Sequence, residues 1–125
     1  VGFPEWQAFT SVDHETYFKL NTKIFTYSYV DNTTEPAKRF ALKYRKYFYT
    51  EPNNLAYKAF DMSLYFIELA AKYRDRTLDA FEFYPRNGDF SRFYFQKMEG
   101  QAGKENQGFY IVNFGSDYRL KIESL

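Results

Sequence analysis

The residues with chemical potential are few. Asp13-His14-Glu15 sets the one imidazole of the chain between two carboxylates, the residue types of general acid–base catalysis. Consecutive helix residues do not face one another, so the run is not a ready acid–base pair. Asp61 and Glu68 interrupt an otherwise apolar stretch. A carboxylate there could act as a general acid or base with a raised pKa; the plainer expectation is a rim position or a pair with a neighbouring Lys or Arg. Lys38, Arg39, Lys43, Arg45 and Lys46 form a basic run suited to phosphate, but no Gly-rich loop accompanies them, which favours a solvated helix face. Gly2-Phe3-Pro4-Glu5-Trp6 places a carboxylate and a large aromatic on a turn at a strand end. Ligands of open α/β sheets bind outside the carboxyl ends of strands. A carboxylate there can receive an ammonium group and an aromatic ring can cover it. Glu5 and Trp6 are therefore the candidate ligand-binding pair, against the bland alternative of a turn with a buried Trp. No catalytic residue is assigned, and no metal or other cofactor is expected.

Composition narrows the classes further. The chain has 125 residues, with 17 basic side chains against 16 acidic ones, a net charge of +1. So even a balance gives no field that points to nucleic acid or to an anionic membrane. Cysteine is absent, which removes disulfide scaffolds, thiol nucleophiles and cysteine-ligated metals. Nucleophile-elbow, P-loop, zinc-protease and dinucleotide-binding motifs are absent too. No stretch approaches the roughly 18 apolar residues of a membrane span, and none of these residues is expected to form a signal peptide. Because the chain opens on Val1 rather than Met, removal of the natural N-terminus is the expectation. Aromatic residues reach 23%, with 15 Phe and 13 Tyr. They either fill an irregular core or line a sugar-binding or base-stacking platform, and their helical and strand spacing favours the core.

These side chains need elements to hold them. Val1 to Phe3 reads as a strand end, and Asp13 to Leu20 as a short helix with Asp13 and Glu15 in its first turn. Lys23 to Val30 alternates as a strand, and Asp31 to Thr34 stops it; Asn32-Thr33-Thr34 also matches a glycosylation tripeptide common by chance. Thr34-Glu35-Pro36 starts a helix whose inner face is Ala37, Phe40, Ala41 and Tyr44. Asn53 or Asn54 caps the next, over Leu55 to Lys72. Its stripe is expected through Ala56, Phe60, Leu64, Ile67 and Ala71, widened by Tyr57, Phe66 and Ala70. Thr77 caps a short turn, and Pro85 to Asp89 is a turn. Phe90 to Met98 is a strand with Phe93 and Phe95 on one face, Glu99 to Gln107 a loop, and Gly108 to Phe114 and Tyr118 to Ile122 strands joined by a three-residue hairpin loop at Gly115-Ser116-Asp117. The order implies an α/β chain with one domain over residues 1–125.

Several of these segments, in this order, resemble the C-terminal part of type I periplasmic solute-binding proteins, the leucine/isoleucine/valine-binding group of ABC transporters. They are Gly2 to Trp6; Phe25 to Asp31; Phe40 to Tyr47 with Thr50-Glu51-Pro52-Asn53; Ala56 to Asp61; and Glu105 to Val112. Phe60-Asp61 stands where the family commonly has Tyr-Asp. The likeness extends to divergent envelope members described as amino-acid receptors, some with peptidoglycan-binding LysM repeats. It implies a partial type I periplasmic-binding-protein-like fold, with two main helices packed on a small mixed sheet and a C-terminal antiparallel hairpin. By the same likeness, the chain is a C-terminal fragment of a two-lobed protein and holds at most half of the ligand cleft. Glu5 matches the family's ammonium-binding Glu with a one-residue difference in spacing. The implied partners are an amino-acid-like ligand and a membrane permease, with dimerisation of a truncated lobe favoured by its uncovered apolar surface. The implied location is the periplasm or cell envelope. The alternative class is a carbohydrate- or peptidoglycan-binding envelope module, which would present coplanar exposed rings.

Overall fold

A computed structural model describes residues 1–8, 10–100 and 102–124. The architecture is mixed α/β, with helices and small antiparallel sheets, arranged as two compact units. One unit combines residues 1–27 with 109–125; the other is the continuous segment 28–108.

In the first unit, Gly2 makes an isolated parallel bridge to Ile24, and its N–H donates to the Lys23 carbonyl at 2.7 Å. The expected strand end is thus reduced to one bridge, and the chain turns at once into a 3-10 turn, Pro4–Ala8. Helix α1, His14–Lys19, starts on an Asp13 cap that accepts the Glu15 N–H at 3.1 Å, satisfying an otherwise unpaired first-turn donor. β1 is Lys23–Thr26, shorter than the Lys23–Val30 expectation. It pairs antiparallel with β6, Tyr110–Phe114, which pairs antiparallel with β7, Leu120–Ser124. The named strands are all antiparallel, so the only parallel element described in this sheet's neighbourhood is the Gly2 bridge. The β6–β7 connection is longer than the three residues expected: Phe114 faces Leu120, and Tyr118 within the turn takes φ 59°. Among the described residues of this unit, Ile24, Tyr17, Val112 and Phe114 are the buried apolar side chains.

In the second unit, α2, Glu35–Phe48, carries Pro36 in its first turn and buries Ala37 and Ala41. Thr34 occupies the cap position, but its hydroxyl donates to the Asp31 carbonyl instead of capping the helix. α3, Asn54–Tyr73, starts on Asn53, whose side chain accepts the Ala56 N–H at 2.9 Å. Its buried face corrects the sequence expectation. The buried residues are Tyr57, Asp61, Tyr65 and Leu69, a strict i, i+4 row, whereas Ile67 is 63% exposed and Phe60 36%. Counting apolar residues favoured the wrong side, because the inward row holds a carboxylate and two phenols.

Beyond α3 come a 3-10 turn, Arg74–Arg76, and the short α4, Thr77–Ala80. Thr77 is not a cap; its hydroxyl donates to the Arg74 carbonyl at 2.5 Å. β2, Arg86–Asn87, pairs with β3, Arg92–Phe93. β4, Phe95–Lys97, pairs with β5, Lys104–Asn106. β5 overturns the loop expectation for 99–107, whose Gln101 lies outside the described residues. Gly100 and Gly103 hid it by marking the hairpin turn rather than an irregular loop. The α3 face packs on these hairpins: Tyr65, Leu69, Ala80 and Phe93 form one cluster, and Ala37, Tyr57 and Phe90 another. Tyr65 stacks on Phe93 at 4.5 Å with ring planes 10° apart. The two main helices therefore pack with their own unit's hairpins, while the three-stranded sheet belongs to the other unit.

Candidate functional site

Glu5 and Trp6 sit together on the 3-10 turn that follows the Gly2 bridge. The turn is closed by the Trp6 N–H donating to the Phe3 carbonyl at 3.1 Å. Its far side is tied down by the Tyr17 hydroxyl, which donates to the Trp6 carbonyl at 2.6 Å. The indole lies against the backbone of Gly2, where a Cβ would come within 2.5 Å of the ring. Only glycine allows that approach, so the ring orientation is fixed from below while Trp6 remains 37% exposed. The indole is thus partly covered by the turn and partly open to solvent. Glu5 is exposed, and its carboxylate has no ion-pair partner among the described residues. Phe3, 59% exposed, meets Phe25 edge-on at 5.7 Å and extends the aromatic surface beside this turn. An anionic head beside aromatic faces suits a cation with an apolar body.

The other candidates do not assemble into a catalytic centre. Asp13 is spent on the helix cap, Glu15 pairs with Lys19 at 3.3 Å, and His14 is exposed with its ring edge-on to Tyr17. Asp61 is 3% exposed and neither at a rim nor paired with a cation. Its Oδ1 accepts the Asp89 N–H at 3.2 Å; its Oδ2 accepts those of Phe90 and Ser91 at 2.6 and 2.7 Å. Burial pushes this carboxyl above its usual 3.8, and the three N–H donors pull against that rise. Both oxygens are committed, so Asp61 fastens the 88–91 turn to α3. Gly88 lies close enough to that carboxylate that a Cβ would overlap it. Glu68 pairs with Arg86. Among the described residues, no group of three or more His, Asp or Glu is placed to hold a metal ion, and no helix is long and apolar enough to cross a membrane.

Two members of the basic run on α2, Lys38 and Arg45, border a groove that also touches Tyr57. All five members of the run are exposed, as the expected solvated helix face requires, and Lys38 and Arg45, seven residues apart, share one side of the helix. The most nearly coplanar rings, Tyr65, Phe93 and Phe95, belong to the α3–hairpin packing rather than to an exposed platform. In comparisons with known proteins, no family model, curated protein or solved structure matches this chain.

Proposed function

We propose that this chain is part of a solute receptor of the amino-acid-binding ABC-transporter type, and that it binds rather than transforms its ligand. The observation that carries this reading is the exposed Glu5 carboxylate, without an ion-pair partner among the described residues, beside an indole packed on Gly2, on a turn whose backbone is tied down by Tyr17. In this reading Glu5 receives an ammonium group and Trp6 covers the carbon beside it. The turn follows directly on the Gly2 bridge to Ile24, which anchors its start. The ordered likeness to type I periplasmic binding proteins supports the same assignment. So does the mixed α/β architecture, in which two long helices are followed by antiparallel hairpins. A location in the cell envelope and a permease partner go with that proposal.

Trp6 is the single tryptophan, so its fluorescence reports this turn alone. Titration with amino acids is expected to give a saturable change. Glu5→Gln should weaken that binding about tenfold, the worth of one charge-assisted contact. Equal affinity in the variant would sink the role of Glu5. A response confined to wall sugars would instead favour an envelope-binding module, for which the exposed rings of Tyr47 and Tyr49 at the end of α2 offer a surface.

A further inference from the structure

A groove of about 500 Å³ opens along α2 in the 28–108 unit, within the size range of small-molecule sites. Ala37, Ala41, Leu42 and Pro52 give it an apolar lining. Two cations stand on the same side of the helix, Lys38 and Arg45, separated by about 10 Å of helix axis. Among the described residues, Lys38 pairs with Glu35 at 3.2 Å, and Arg45 pairs at 2.6 Å with Glu51, which also lines the groove. The side chains of Glu35 and Glu51 are 87% and 70% exposed, and such pairs contribute little stability. An incoming anion can therefore displace either at small cost.

Tyr57 supplies the second observation. It enters the groove wall from α3 and is only 4% exposed, yet its hydroxyl makes no hydrogen bond among the described residues. The Arg45 guanidinium is held above its usual pKa by its bond to the Glu51 carboxylate. The Tyr57 ring is buried while its hydroxyl oxygen still reaches solvent, so that hydroxyl can donate to a molecule in the groove.

We infer that this groove binds a small organic carboxylate with an apolar body. The carboxylate lies on the Arg45 fork and accepts from the Tyr57 hydroxyl, and the body covers Ala41, Leu42 and Pro52. Lys38 adds attraction at the far end. This site uses none of the residues of the Glu5–Trp6 turn and stands or falls apart from it.

Phenylacetate is a suitable probe, with phenylacetamide as its neutral counterpart, titrated against the full chain and followed by amide and methyl NMR shifts. Saturable shifts at Leu42 and at the Arg45 side chain, with the acid bound about tenfold more tightly than the amide, are expected. Arg45→Gln should abolish that preference. Tyr57→Phe, which keeps the ring packed on Phe90 at 4.8 Å, should weaken the acid several-fold and leave the amide unchanged. Equal binding of acid and amide, shifts that map away from α2, or no saturation would each overturn the assignment.

Discussion

At the scale of single residues, the most constrained position is Asp61. Its two oxygens satisfy three backbone donors of the 89–91 turn. Asp61→Ala leaves those N–H groups unpaired in a place water reaches poorly. We expect a loss of about 3 kcal/mol in denaturant unfolding. Asp61→Asn keeps one acceptor but sets an amide N–H₂ toward a backbone donor, so it should lie between the two. Gly88→Ala attacks the same junction sterically, since the new methyl overlaps the carboxylate. A normal unfolding midpoint for both Asp61→Ala and Gly88→Ala would refute the fastening role. The carboxylate itself was legible in the sequence as an anomaly in an apolar helix. Its use was not, because the donors it serves lie nearly thirty residues downstream and no local pattern connects them. Glu5 and Trp6 were legible as a pair on a turn. That Gly2 is what aims the indole follows only from a through-space approach.

Element boundaries were read well where the signal is local and poorly where it is not. The α2 and α3 starts at Glu35 and Asn54 follow from Pro36 and Asn53, since caps and N1 prolines act within one turn. The facing of α3 was misread because apolar count is a poor guide when tyrosine and aspartate are the buried residues. β5 escaped because three residues between glycines carry no periodicity to detect. The facing has a direct test. Leu69 is fully buried against Tyr65, Ala80 and Phe93, so Leu69→Ala should cost about 3 kcal/mol. Ile67→Ala removes a side chain that is 63% exposed and should change stability by no more than about 0.5 kcal/mol. The stripe inferred from sequence gives the reverse order. Equilibrium unfolding of the two variants distinguishes them.

For the whole molecule, the decisive fact is that one unit is continuous and the other is not. β1 pairs with β6 across the entire 28–108 segment, and closing so long a loop is an entropic burden. The continuous unit relieves it, because both of its ends are held at neighbouring residues. Ser28 bridges Ser91, and the Tyr29 N–H donates to the Phe90 carbonyl at 2.8 Å. At the other end Asn106 acts as a clamp. Its Nδ2 donates to the Arg92 carbonyl at 2.7 Å, while its Oδ1 accepts the N–H groups of Tyr94 and Gly108 at 2.8 and 3.0 Å. Once residues 28–108 are folded, the β1–β6 pairing closes a short effective loop, a saving of about 3 kcal/mol. The dependence therefore runs one way. The 28–108 segment, expressed alone, should fold cooperatively with helical circular dichroism. In the full chain, under conditions where Asp61→Ala has unfolded that segment, the amides of Ile24 to Thr26 and of Tyr110 to Asn113 should lose their hydrogen-exchange protection with it. Retained protection there would mean that the sheet closes without help from the segment it encloses, and that the two ends of the chain carry enough affinity to meet across a disordered loop.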